Sequence, residues 1–229
     1  VFDYVLMNPS PKLHLSTTSN FSVDEKLWQR YKAYVTMLCE VPDRVEHFMQ
    51  YVSLGGMFEQ AEYMRHGLDF NLLWDRVNQF LNDIPERNSL TTLKNLFAGI
   101  LGLRQIYSKT YQRVWFDTPV LRTPSWQSLQ ILPESYVHEL DLCKKWMSDN
   151  LETEAKRFKG FKDYEVARLD RDIAWMRDGQ KLDTAYINRN KADFYRFFAE
   201  HDRRRSTDFL KTFPDMKTWW EECKYLSNN

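Results

Sequence analysis

The residues in this chain best suited to holding a small molecule are hydroxyls, carboxamides and guanidinium groups near the ends of β-type segments. Segment 12–20, KLHLSTTSN, finishes with Thr17, Thr18 and Asn20, which donate and accept hydrogen bonds without carrying charge. Segment 45–54, VEHFMQYVSL, brings Ser53 to its end and runs into Gly55 and Gly56, where a backbone lacking Cβ can turn or approach a ligand closely. Segment 113–121, RVWFDTPVL, carries Asp117, with Arg122 and Trp126 just beyond it. Arg65 adds a planar fork that suits a carboxylate or phosphate. Each of these has an ordinary use as well. Ser, Thr and Asn turn chains and cap helices, and an arginine on a helix is commonly a solvated charge.

Other chemistries find little support. The five histidines, His14, His47, His66, His138 and His201, show no HExxH or other ligand spacing, and no GxSxG elbow, P-loop or GxGxxG occurs. Hydrolase and nucleotide-triphosphatase readings therefore lack a motif. Cys39, Cys143 and Cys223 are odd in number and far apart, which argues against a disulfide framework and against a self-contained metal site. The run His201-Asp-Arg-Arg-Arg205 points weakly to nucleic acid, but Glu200, Asp202 and Asp208 dilute it, and arginines at a helix C-terminus complement its dipole. Trp175, Tyr186, Phe194, Tyr195, Phe197, Phe198, Trp219 and Trp220 read as packing between helices.

The elements that must position these residues alternate at first. A strand over 12–20 is followed by a helix from Ser22, with Ser22 and Glu25 as a capping box, ending near Val41-Pro42. A strand over 45–54, a short helix over 58–65 and an amphipathic helix from Asp69 to Pro85 follow. A third strand near 88–92 is short and passes into a helix over 93–107, and the strand over 113–121 is followed by a β-like run over 128–132. Beyond Pro133 only helices are expected, over 134–150, 151–158, 164–177, 193–204 and 213–226. Alternating units favour a parallel sheet, open or curled into a barrel, and ligands bind such sheets at the carboxyl ends of the strands.

At 229 residues the chain is long enough for a sizeable core. Its 32 basic and 32 acidic residues balance, so no overall field recruits nucleic acid or an anionic membrane. No apolar run approaches the roughly 20 residues that span a bilayer, and the first residues lack a signal pattern. The expected setting is cytoplasmic, and the start at Val1 suggests a sequence that begins inside a longer chain.

Three stretches, LHLSTTSNFS, FMQYVSLGGMFEQAEYMRHGLDF and RVWFDTPVLRTPSWQSLQILP, together resemble successive parts of radical S-adenosylmethionine (radical SAM) proteins of the twitch/SPASM-like group. The tail FYRFFAEHDRRRSTDFLKTFP is similar to that group as well. The resemblance implies an α/β fold in which residues 1–132 form a partial (β/α) TIM-like radical SAM barrel and 133–229 a mainly helical C-terminal extension packed on it. It implies S-adenosylmethionine (SAM) near Thr18, Asn20 and Ser53, its carboxylate met by Arg65, with Asp117, Arg122 and Trp126 as guesses for the substrate side. It also implies a [4Fe-4S] cluster that cleaves SAM reductively to a 5'-deoxyadenosyl radical for hydrogen abstraction.

The sequence departs from that pattern in several places. Ser19 separates Thr18 from Asn20, and Gly55-Gly56 stand where an acidic residue is common. The CxxxCxxC loop and the Gly-Gly-Glu stretch are missing; in the family both belong to strands that would precede Val1. Two other readings remain open: a degenerate barrel acting as a binding or scaffold protein, and, more weakly, an RNA-binding or RNA-modifying protein resting on Arg203 to Arg205.

Overall fold

The alternation in KLHLSTTSN builds strand β1 (Ser10–Ser19), with Leu13, Leu15, Thr17 and Ser19 half-buried and His14, Ser16 and Thr18 exposed. The computed structural model describes residues 1–40, 44–53, 56–84, 89–94, 114–117, 121–153 and 161–229. Strand β2 (Val45–Ser53) runs parallel to β1, β3 (Ser89–Lys94) parallel to β2, and β4 (Val114–Asp117) parallel to β3, in the order β1-β2-β3-β4. Parallel neighbours need a crossover between them, and in such sheets it is right-handed. When strand order simply follows the sequence, successive right-handed crossovers fall on one face. A barrel segment has this order too; among the described strands β1 and β4 are the two edges.

Short helix α1 (Phe2–Met7) precedes β1. Helix α2 (Glu25–Glu40) buries Trp28, Val35, Leu38 and Cys39 along one stripe. Its start differs from the expected capping box at Ser22: the Asp24 carboxylate accepts from the Leu27 backbone N–H at 2.8 Å, while the Ser22 N–H donates to Asn20 Oδ1. Asp caps as well as Ser, and Ser22 is held in the preceding loop. Helix α3 (Glu59–Met64) is linked through Gly67, at φ 79°, to α4 (Phe70–Asp83). As expected, Asp69 caps α4, accepting from the Leu72 N–H at 2.9 Å, and Leu73, Val77 and Phe80 are buried.

Helices α2 and α4 lie side by side. Trp28 Nε1 donates to Gln79 Oε1 at 2.9 Å, Lys32 pairs with Asp83 at 2.5 Å, and the Phe21 and Phe80 rings stack at 5.8 Å. The Tyr31 hydroxyl of α2 reaches Gln50 of β2, so this pair of helices covers the sheet face that carries Phe48, Gln50 and Val52, all fully buried. Of these, Phe48 and Val52 each contribute about 1.5–3 kcal/mol through burial.

The third strand extends to Lys94, so residues 93 and 94 are strand where helix was expected; the rest of that expected helix lies outside the described residues. The β-branched Thr91 and Thr92 suit a pleated strand paired along β2. Residues 151–153 are not helical either: Leu151 bridges Phe161, and the Glu152 N–H donates to the Phe161 carbonyl at 2.8 Å.

The chain divides into two compact units, 1–117 with 151–162, and 118–150 with 163–229. Residues 118–132 thus belong with the later helices rather than with the strands. In this second unit the expected β-like run over 128–132 is a 3₁₀ turn, Leu129–Ile131, which follows a first such turn at Ser125–Gln127. The Ser128 hydroxyl accepts from the Gln130 N–H, which tightens the second turn.

Helices α5 (Ser135–Ser148), α6 (Asp163–Gly179), α7 (Thr184–Arg205), α8 (Phe209–Thr212) and α9 (Lys217–Ser227) complete the unit. Helix α7 starts well before the expected residue 193, because Asp183 caps it by accepting from the Ala185 N–H. Its core has part of the expected aromatic packing, while Tyr186 and Phe197 of the same set are exposed. Phe194, Phe198, Trp219 and Trp220 are buried together with Phe209, which stacks on Trp220 at 4.5 Å.

Candidate functional site

Parallel registration sorts the strand residues into rows, since paired residues share a face and successive residues alternate. Thr18 pairs with Tyr51, Tyr51 with Thr92 and Thr92 with Trp115; two residues further on, Ser53 pairs with Lys94 and Lys94 with Asp117. Thr18, Ser53 and Asp117, chosen from sequence as strand-end residues, therefore fall on one face at the carboxyl edge, and Asn20 continues that edge beyond β1. Thr18 is exposed and Ser53 half-buried.

The intervening rows face α2 and α4. Thr17, also singled out as a strand-end residue, belongs there: its hydroxyl lies 2.7 Å from Tyr31 Oη and 2.5 Å from Gln50 Oε1. The Tyr31 hydroxyl donates to the same Gln50 oxygen, and Gln50 Nε2 donates to the Tyr51 carbonyl at 2.7 Å. Burial pushes the Tyr31 phenol well above its usual range, partly offset by the Thr17 hydrogen bond. This triad locks α2 onto the sheet and is not offered to a ligand. Gln50 was missed in the sequence, although a polar residue between Phe48 and Val52 in a period-2 strand marks such a network.

Arg65 lies just past the end of α3, half-buried, its N–H bonded to the Ala61 carbonyl at 3.1 Å. It follows the helix rather than sitting within it, and it is not on the strand-end row. Gly56 packs its α-carbon against α3, where a Cβ would meet Gln60 Cβ at 2.9 Å; Gly55 lies outside the described residues. Arg122 and Trp126 belong to the second unit, where Arg122 sits over the Trp175 ring at 4.9 Å and Trp126 packs on Phe197 at 4.4 Å.

The loop between β1 and α2 is shaped by a residue that the sequence reading passed over. Arg76 of α4 is buried, and its Nη1 donates to the carbonyls of both Phe21 and Val23. An arginine amid Leu73, Val77 and Phe80, on the apolar side of an amphipathic helix, is the sequence signal for it.

A groove of about 360 Å³ between α1 and α2 is lined by rings that include Phe2, Tyr31 and Tyr34. Its polar groups serve one another: the Tyr34 hydroxyl donates to Asp3 and Arg30 donates to Tyr34.

Cys39, Cys143 and Cys223 are buried on α2, α5 and α9, and among the described residues no group of three or more His, Cys, Asp or Glu could hold a metal ion. The Cys223 thiol is pushed up to about 12 by burial, with Glu222 adding to the effect. At the end of α7, Arg203 and Arg204 both donate to Glu200, at 2.7 and 2.6 Å. No described helix is long and apolar enough to cross a membrane. No family model, curated protein or solved structure matches the chain.

Proposed function

We propose that this chain is the later part of a radical SAM-type barrel and that it holds S-adenosylmethionine along the carboxyl edge of its sheet. The observation that carries the reading is the common edge and face of Thr18, Ser53 and Asp117, with Asn20 extending it. The sequential parallel order and the placement of α2 and α4 on one face support a barrel segment. Neutral hydroxyls and a carboxamide fit the ribose and adenine of SAM, which need donors and acceptors more than charge. Asp117, on the same row, is the substrate-side residue that best fits this reading. The buried thiols suit a reducing, cytoplasmic setting.

The [4Fe-4S] cluster is a different matter. In the family that the chain resembles its three thiolates come from a CxxxCxxC loop, and Cys39, Cys143 and Cys223 do not form one. Reductive cleavage of SAM and hydrogen abstraction, the activity implied by the resemblance, would need the CxxxCxxC thiolates, a motif absent from this sequence. No step of that chemistry is assigned to its residues.

The test is calorimetric titration of SAM into the folded chain, followed by Thr18→Ala and Ser53→Ala. Binding tighter than millimolar, weakened by both changes, is expected. A folded chain without affinity for SAM would instead favour a barrel retained as a binding or scaffold protein, the alternative to which the buried cysteines lend weight. Anaerobic treatment with iron and sulfide, followed by an assay for 5'-deoxyadenosine, then separates a complete radical enzyme from a SAM-binding section of one.

A further inference from the structure

We propose that Arg76 is a positioning residue: it fixes the loop between β1 and α2, and through that loop the orientation of Asn20 toward the ligand, an inference that rests on the SAM reading above.

Arg76 is 2% exposed. A guanidinium taken out of water must be surrounded by acceptors or it destabilises the fold. Here Nη1 donates to Phe21 O and, at 2.6 Å, to Val23 O; Nη2 faces the Glu25 carboxylate at 3.5 Å, and the group lies 5.5 Å from the Trp28 ring centre. Two of its acceptors are thus backbone carbonyls of a single short loop. The loop must turn both of them inward, toward α4.

The backbone shows what this requires. Phe21 has φ 56°, a left-handed conformation that bulky residues avoid and that persists only where the surroundings impose it. Its side chain is buried against Trp28 and Phe80, with ring centres 4.9 and 5.8 Å away. Its N–H donates to Ser19 Oγ at 2.9 Å, and the next N–H, that of Ser22, donates to Asn20 Oδ1 at 3.1 Å. The Asn20 carboxamide is therefore oriented by Ser22, which stands between the two carbonyls held by Arg76. Its oxygen is used within the loop. Its amide nitrogen is the group left to donate to a ligand at the end of β1.

Lysine keeps the charge but is a single point that cannot reproduce the fork. Methionine keeps much of the bulk and removes the donors. The experiment compares wild type, Arg76→Lys and Arg76→Met by amide hydrogen exchange at Ser22 and Val23 and by SAM titration, each also with Asn20→Ala. In the wild type both amides are expected to be protected to a degree comparable with the first turn of α2.

In Arg76→Lys they are expected to exchange about tenfold faster, in line with the loss of hydrogen bonds to a charged group, while α7 amides stay unchanged. SAM affinity is expected to fall by a similar factor, and Asn20→Ala to cost nothing further in the Arg76→Lys background. Unchanged loop exchange in a folded variant overturns the proposal. So does an Asn20→Ala effect of the same size in both backgrounds, which would mean independent contributions. If neither variant folds, the wild-type Arg76 guanidinium protons decide: slow exchange with water upholds the clamp, and the rates of free arginine overturn it. Absence of SAM binding in the wild type defeats the functional reading alone, since the exchange arm still tests Arg76.

Discussion

Gly179, the last residue of α6, lies against the backbone of Gln130: a Cβ on it would stand 2.3 Å from the Gln130 carbonyl oxygen and 2.6 Å from its α-carbon. Both contacts are with main chain, which cannot swing away as a side-chain end can. Gly179→Ala is expected to destabilise the fold by at least the ~1–3 kcal/mol typical of overpacking, lowering Tm by several degrees for a chain of this size. Gly67 is the control. It has φ 79° but nothing within 4 Å of the added Cβ, so Gly67→Ala carries only the backbone penalty of about 1–2 kcal/mol. Thermal unfolding followed by circular dichroism should rank Gly179→Ala well below Gly67→Ala; the reverse order would contradict the close approach.

The triad of Thr17, Tyr31 and Gln50 gives a second prediction, argued from a count of hydrogens. Two hydroxyls and one carboxamide oxygen meet in three contacts, yet the hydroxyls bring only two protons. Tyr31→Phe leaves the Gln50 oxygen the Thr17 donor, so the expected loss is about 1 kcal/mol. Gln50→Ala strips both hydroxyls of their shared acceptor and opens a cavity, for an expected ~2–4 kcal/mol. Urea unfolding should show this order, and the double variant should lose less than the two losses added together. Strict additivity would mean that the three groups do not act as one network.

Much of this was legible in the sequence for physical reasons, and the rest was not for reasons equally physical. The period-2 run of β1 and the Asp69 cap of α4 are local signals, and the structure has both. The start of α2 moved from Ser22 to Asp24 because Arg76, 54 or so positions away in the chain, occupies the loop carbonyls; no local pattern reports a partner so distant. Residues 128–132 read as β because Leu129 and Ile131 alternate, but the turns they form bury both against helices of the second unit. Strand-end logic selected Thr18, Ser53 and Asp117, which the register puts on one face, since it depends only on strand order. It also picked Thr17, one residue out of phase, because alternation decides the face and the sequence alone did not fix which face the helices cover.

Thiol chemistry provides a third prediction. Cys39, Cys143 and Cys223 are each at most 3% exposed, and the Cys223 thiol is held near 12. The thiolate is the species that alkylates or ligates iron. At pH 8 the native chain should resist iodoacetamide at all three positions, and denaturant should release all three to labelling, as mass spectrometry would read. Rapid native labelling of Cys143 or Cys223 would reopen both as ligands for an auxiliary cluster.

The end of α7 makes a last prediction about charge. Glu200 accepts from Arg203 at 2.7 Å and from Arg204 at 2.6 Å, and these hydrogen bonds, Arg203 first, hold its carboxyl at about 2 against an ordinary 4.5. A carboxylate with a lowered folded value lends stability above the unfolded value, and that contribution fades as pH falls from about 4.5 toward about 2. Because the groups are in water, the effect should be small and should shrink with salt, whose screening length is about 3 Å at 1 M. Carbon-detected NMR titration of the Glu200 carboxyl should give a midpoint near 2 at low ionic strength, moving back toward the ordinary range in concentrated salt. A midpoint near 4.5 at low salt would mean that Arg203 and Arg204 are not engaged with Glu200. They would then be available to phosphate, and the RNA-binding reading would regain the support that the pairing removes.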